Sequence, residues 1–364
     1  MRIAGLLALI TVAVNFSFAQ NPLSTDGAPR KADSKIPRIV MEEMFVPAKD
    51  PAIQLYVRNK HAEHMSAFTP EKTVLFVHGA TYPSETAFDL PLDGLSWMDY
   101  IAQHGYDVYL MDVRGYGRST RPPQMDSPPD QNPPFADSLT AAADISAVVD
   151  YILARRKLES LDLLSWSWGT VTSSIYATAH PDKIGRLVLY APAWIRETPS
   201  LVQPTGSGPL GAYRSVNRDT AYTRWTNGVP ESEKAKLIPS GWFDQWWNAT
   251  VATDPLGSKQ FPPFLRSPNG VVQDTRMFWA AGRTMWDPSK ITMPVLMIQA
   301  EWDADCPPYM DRALFPLLVN APEKRYVMIG QGTHTVMMEK NRMQLFREVQ
   351  WFLDEGANYA GLKR

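Results

Sequence analysis

One cysteine, Cys306, stands among 364 residues. No intrachain disulfide can form, so the fold must be held by a packed core, which a chain of this length can supply. Charge of either sign is in no excess. The 36 Lys and Arg against 38 Asp and Glu give a formal net charge of −2, which supplies no electrostatic ground for nucleic acid or an anionic membrane as partner. Histidines number only six, and His61-Ala62-Glu63-His64 lacks the His-Glu-x-x-His spacing of a zinc protease. No His/Cys/Asp cluster has metal-ligand spacing, so no metal and no cofactor is expected. Gly115 and Gly117 are followed by Thr120 where a dinucleotide-binding fingerprint needs a third glycine. Beyond the first nineteen residues no run of about 18 apolar residues occurs, so no membrane span is expected in the mature chain.

What is present is an ordinary globular balance, 45% hydrophobic and 20% charged, with 31 prolines and 12 tryptophans. The N-terminus reads as an export signal. Arg2 precedes the short apolar run Ile3 to Val14, and Ser17-Phe18-Ala19 puts small residues where a signal peptidase reads them. Cleavage is expected after Ala19, giving a periplasmic or secreted protein. Residues 20–37 are polar and Pro-containing and read as a flexible leader.

Short apolar runs then alternate with helical stretches. The expected strands are Thr73 to Val77, Tyr106 to Met111, Leu161 to Leu164, Leu187 to Tyr190, Val295 to Ile298 and Tyr326 to Ile329. Their apolar character is continuous, as in strands covered on both faces. Helices are expected over Leu95 to His104, Ser138 to Arg156 and Asn341 to Asp354. This alternation predicts a mostly parallel α/β sheet with helices on both faces. Two segments break the rhythm. Pro122 to Pro134 carries six prolines and reads as a stiff loop. Residues 195–290 lack strand rhythm and are rich in Trp and Pro; they read as an inserted, largely helical cap. The α/β core is then 38–194 and 291–364.

The sharpest motif is Ser165-Trp166-Ser167-Trp168-Gly169, placed between an apolar strand and a helix expected over Thr170 to Ala179. A serine at such a turn is exposed on strained backbone, and the residues two before and two after it must be small, because strand and helix pass close by. Ser165 departs from the usual glycine but is small. A serine nucleophile needs a base. His334, in Gly330-Gln331-Gly332-Thr333-His334, follows the last expected strand. The base needs a carboxylate to fix its tautomer, and Glu301-Trp302-Asp303-Ala304-Asp305 follows the strand before it.

With His78-Gly79-Ala80 and Asp112-Val113-Arg114-Gly115-Tyr116-Gly117-Arg118-Ser119 upstream, the sequence resembles the α/β-hydrolase superfamily over residues 50–194 and 291–355. The resemblance implies the α/β-hydrolase fold and a Ser167–Asp303–His334 triad. Asp303 lies four residues before Pro307, with Asp305 and then Glu197 as alternatives for the acid. It also implies an oxyanion hole from the backbone N–H groups of Ala80 and Trp168. His78, Asp112 and Arg114 are expected to hold loops. The cap tryptophans, with Trp166 and Tyr82 near the nucleophile, suggest an apolar pocket, for which Tyr82, Trp166, Trp194 and Trp246 are the candidates. The expected activity is hydrolysis of a small or medium apolar carboxylic ester, aromatic esters included. The alternatives are another bond (amide, lactone, thioester or carbon–carbon) and ligand binding without turnover. The expected partner is a small-molecule substrate; the sequence does not fix the oligomeric state.

Overall fold

A computed structural model describes residues 36–202 and 209–362. The expected export signal, nearly all of the leader and residues 203–208 of the expected cap lie outside them.

The chain opens with a hairpin of β1 (Ile39–Pro47) and β2 (Gln54–Ala62), followed by β3 (Thr73–Val77), α1 (Ser84–Phe88), α2 (Trp97–Gln103) and β4 (Asp107–Met111). Then come α3 (Ser138–Arg156), β5 (Leu161–Trp166), α4 (Trp168–Ala179) and β6 (Ile184–Tyr190). An inserted region follows, with β7 (Tyr213–Val216), α5 (Arg218–Trp225), α6 (Glu231–Leu237), α7 (Trp242–Ala252), β8 (Leu265–Pro268) and α8 (Gly270–Met277). The chain returns to the sheet with β9 (Val295–Ala300), α9 (Tyr309–Leu314), β10 (Lys324–Ile329) and α10 (Arg342–Leu362).

Eight strands form one sheet in the order β1-β2-β4-β3-β5-β6-β9-β10. From β4 to β10 all neighbours are parallel, while β2 runs antiparallel to both β1 and β4. Every residue of β3, β4, β5 and β9 is buried, as helices on both faces require. The hairpin is the part that the apolar runs did not announce. In β1 exposed and half-buried residues alternate, the pattern of a strand wetted on one face at a sheet edge.

Local signals fix the helix ends. Ser96 caps α2 by accepting from the Asp99 N–H at 2.9 Å, and Gly105, with φ +82°, follows its end. Asp137 caps α3 by accepting from the Thr140 N–H at 2.7 Å. Trp97 of α2 stacks on Phe346 of α10 with ring centres 5.1 Å apart, joining two helices distant in sequence. Both rings are buried, worth roughly 2–3 kcal/mol each relative to exposure.

The inserted region carries a two-stranded antiparallel ribbon, β7 with β8, among its helices. The ribbon is tied to the end of α7 by a buried, bidentate pair: Arg266 Nε lies 3.1 and 3.0 Å from the two Asp254 oxygens. Arrangements of this kind resist removal of one partner, because the other is left charged and unpaired. The loops that follow β3, β5, β6, β9 and β10 all leave the same end of the parallel sheet, where such sheets place their sites. No helix among the described residues is long and apolar enough to cross a membrane.

Candidate active site

Ser167 joins β5 to α4 with φ +58° and ψ −123°, a conformation that costs a non-glycine residue on the order of 1–3 kcal/mol. The surroundings enforce it. The Ser167 N–H donates to the Tyr190 carbonyl of β6 at 2.9 Å, and the Ser167 carbonyl accepts from the Thr170 N–H and hydroxyl at 2.9 and 2.6 Å. Gly169 sits where α4 passes over β3: a Cβ there would lie 2.5 Å from the His78 oxygen and 2.7 Å from the Val77 oxygen. The serine at 165 is accommodated because its hydroxyl donates to the Val188 carbonyl at 3.1 Å.

His334 brings Nε2 to 2.8 Å from Ser167 Oγ and Nδ1 to 2.8 Å from Asp303 Oδ2. A carboxylate can only accept, so Nδ1 carries the proton and Nε2 is left to accept from the serine hydroxyl. The backbone of His334 is fixed too. Its carbonyl accepts from the Trp166 indole at 2.9 Å and the Tyr190 hydroxyl at 2.7 Å. Asp303 is held by the N–H groups of Asp305 and Cys306, each 2.8 Å from Oδ1. Burial pushes its carboxyl above the ordinary value, opposed by His334. Asp305 faces elsewhere, to Arg224, with Nε 2.9 and 3.1 Å from its two oxygens. Glu197 is exposed and distant from the pair; its N–H donates to the Tyr309 hydroxyl at 2.8 Å.

Ala80 and Trp168 line the cavity that contains Ser167. Neither of their N–H groups has an acceptor among the described residues. The Ala80 loop is clasped from the inserted region. Thr81, at φ +89°, offers its hydroxyl oxygen to Arg214 Nη2 at 2.6 Å and Arg224 Nη1 at 3.0 Å, and its carbonyl to the Ser267 hydroxyl at 2.9 Å. His78 sits beneath, Nδ1 2.6 Å from the Gly79 carbonyl and Nε2 accepting from the Val113 N–H at 3.0 Å. Burial pulls its pKa down to about 4, so it is neutral and structural. Asp112 accepts from the N–H groups of Ser84 and Arg118 at 2.8 and 3.0 Å, and Arg114 pairs with Asp144.

Two cavities meet the site. The one over Ser167 reaches Ala193, Arg196, Val271 and Trp279. A second, narrow one is lined by Tyr82, Trp166, Trp225, Trp246 and His334. Trp194 corrects the expected pocket: it packs edge-on against Trp286, ring centres 5.3 Å apart, and lines neither cavity. Its position just after β6 puts the ring into the seam between core and insertion instead. Cys306 lines the first cavity, but burial raises its thiol well above the usual range, keeping it protonated.

Residues with no local sequence signal complete the site: Thr81, Arg196, Arg214, Arg224 and Glu339. The Glu339 carboxylate accepts from the Trp225 indole at 2.8 Å, from the Thr333 N–H at 3.0 Å and from the Thr333 hydroxyl. It thereby ties α5 to the residue next to His334. Burial pushes its pKa up to about 7.

A family model described as alpha/beta hydrolase fold matches residues 72–340. The chain belongs to the alpha/beta hydrolase fold family. By sequence, no curated protein matches it. Among solved structures it is similar to a serine hydrolase from the polyaromatic-hydrocarbon-degrading bacterium Cycloclasticus zankles, with TM-score 0.55, 14% identity, and 86% of this chain and 98% of that one covered. Est1E from Butyrivibrio proteoclasticus, solved with ferulic acid, gives TM-score 0.54, 14% identity, and coverage of 86% and 99%. The thioesterase domain from the curacin biosynthetic pathway gives TM-score 0.54, 17% identity, and coverage of 86% and 99%. At these identities the likeness is one of fold alone.

Proposed function

We propose that the protein is a serine hydrolase that cleaves a small or medium carboxylic ester through an acyl-enzyme on Ser167. The observation that carries this is the unbroken chain from Ser167 Oγ to His334 Nε2, and from His334 Nδ1 to Asp303, at 2.8 Å in both links. In this reading Oγ attacks the ester carbonyl while its proton passes to Nε2. The developing alkoxide is met by the N–H groups of Ala80 and Trp168, which have no acceptor among the described residues. Fixed donors aimed at that charge are each worth about 10²–10³ in rate. Collapse breaks the bond to the alcohol oxygen, which takes the proton from His334. Water then gives a proton to Nε2 and attacks the acyl carbon; collapse breaks the acyl–Oγ bond, the acid leaves and Nε2 returns the proton to Oγ, restoring Ser167.

The aromatic lining beside His334 supports an apolar group on one side of the ester. The inserted region 195–290 serves as the lid. The export read from residues 1–19 belongs to the same proposal and predicts a mature chain beginning at Gln20.

The test is intact-protein and peptide mass spectrometry after exposure to a fluorophosphonate. One adduct on Ser167, absent from Ser167→Ala, together with turnover of a small-ester panel, is expected. A native protein that neither labels nor turns over any member would overturn the reading in favour of ligand binding without chemistry. Turnover confined to amide or thioester members would keep the serine and change the bond.

A further inference from the structure

The cavity over Ser167 is bordered by guanidinium groups. Arg196, after β6, and Arg224, on α5, both line it. Arg224 spends Nε on Asp305 and Nη1 on Thr81, and its Nη2 has no acceptor among the described residues. Its side chain is 12% exposed, so that amino group is not sealed off. Arg196 meets only neutral oxygens: Nη1 to the Asp305 carbonyl at 2.9 Å, Nε to the Thr198 carbonyl at 3.2 Å and Nη2 to the Pro199 carbonyl at 3.3 Å. Arg214 lies behind, bonded to Thr81 and, at 2.7 Å, to the Pro268 carbonyl.

Three cations thus gather round one carboxylate, Asp305, which Arg224 already engages, because Asp303 is engaged by His334. Cations in an enclosed site without matching anions are poorly compensated. Burial, with the charge of nearby Arg224, pulls Arg214 down to about 10. The rest of the cavity wall is largely apolar, with Val202, Val271 and Trp279. A ligand that is apolar along its length and anionic at one end fits this distribution. Arg is also the side chain best shaped to meet a carboxylate through two N–H groups.

We infer that the substrate is an ester bearing a free carboxylate, seated on Arg196 and on Nη2 of Arg224. This rests on the serine-hydrolase reading for its chemistry, though not for its binding. The carboxylate can belong to the acid half of the ester, as in a dicarboxylic hemiester, or to the alcohol half.

Two matched pairs distinguish these sources. Monomethyl glutarate against methyl pentanoate probes the acid half, and 4-acetoxybenzoate against 4-methylphenyl acetate probes the alcohol half. In one pair the charged member is expected to have a kcat/KM at least about 10-fold higher, the scale of a charge-assisted hydrogen bond. Arg196→Gln should lower that ratio by about 10-fold, and Arg196→Lys by less. Labelling of Ser167 by fluorophosphonate checks that each variant is folded. Ratios at or below one in both wild-type pairs overturn the inference, whatever the variants do, and leave the hydrolase reading intact. So does a ratio that Arg196→Gln does not move. A separate arm measures calorimetric binding of glutarate and 4-hydroxybenzoate to Ser167→Ala. If no ester turns over but these anions bind, and Arg196→Gln abolishes the binding, the hydrolase reading falls and the anion site stands.

Discussion

Asp303 and Asp305 are two residues apart and take different work from their surroundings. Asp303 meets His334 Nδ1 and two backbone N–H groups, whereas Asp305 meets the Arg224 guanidinium. An amide at 303 can hold the geometry but favours the wrong imidazole tautomer. Asp303→Asn is therefore expected to lower kcat on a small ester by on the order of 10⁴, with a parallel fall in the fluorophosphonate labelling rate. Asp305→Asn leaves the tautomer alone and weakens only the anchor of Arg224. Its loss of kcat should stay under about 10², the scale of one misplaced oxyanion donor. Equal losses from the two variants in steady-state assays would contradict this division. Choosing between the two from sequence needed a motif, since both residues offer the same carboxylate on the same loop.

The elements that build the site differ in how openly the sequence announces them. The buried strands β3, β4, β5 and β9 read as largely apolar runs, interrupted by Asp107 and Asp162, because helices cover both their faces. The β1–β2 hairpin does not, because its residues alternate between surface and interior and Glu42, Glu43, Arg58 and Lys60 stand within it. The turn at Ser167 was legible because steric crowding demands small residues at fixed offsets. The Thr81 clasp was not, because Arg214 and Arg224 are 133 and 143 residues from Thr81 in sequence and reach it only after the insertion has packed down. The crowding has a measurable consequence. Gly169→Ala drives a methyl group into two backbone carbonyls, which cannot swing aside as a flexible side chain would. It should cost about 1–3 kcal/mol, seen as a lower Tm, and should strongly suppress Ser167 labelling. Ser165→Gly removes only the bond to Val188, and its Tm should change by what about 1 kcal/mol produces. Thr81→Ala, which removes the shared acceptor of two guanidiniums, should lower kcat by about 10–10² while labelling persists at a reduced rate.

At the scale of the whole molecule, one buried carboxylate joins the insertion to the core. Glu339 is buried between Trp225 of α5 and Thr333 beside His334, and burial raises its pKa from 4.5 to about 7. Because the folded value lies above the unfolded one, the folded state holds its proton longer. Its contribution is fully present below pH 4.5 and is lost as pH rises to about 7. The span corresponds to on the order of 3 kcal/mol. Glu339→Gln removes this dependence, so its Tm relative to that of wild type should climb steadily between these pH values and then level off. A constant difference across that range, followed by thermal unfolding at closely spaced pH, would refute the assignment. The clasp at Thr81 has a further consequence for anyone wishing to redesign this protein. The Ala80 loop is held by arginines that the insertion itself supplies, so the segment between β6 and β9 is not an interchangeable module. A chimera that borrows this segment from another hydrolase would have to bring its own pair of donors to Thr81, or it would exchange specificity and lose catalysis in the same step.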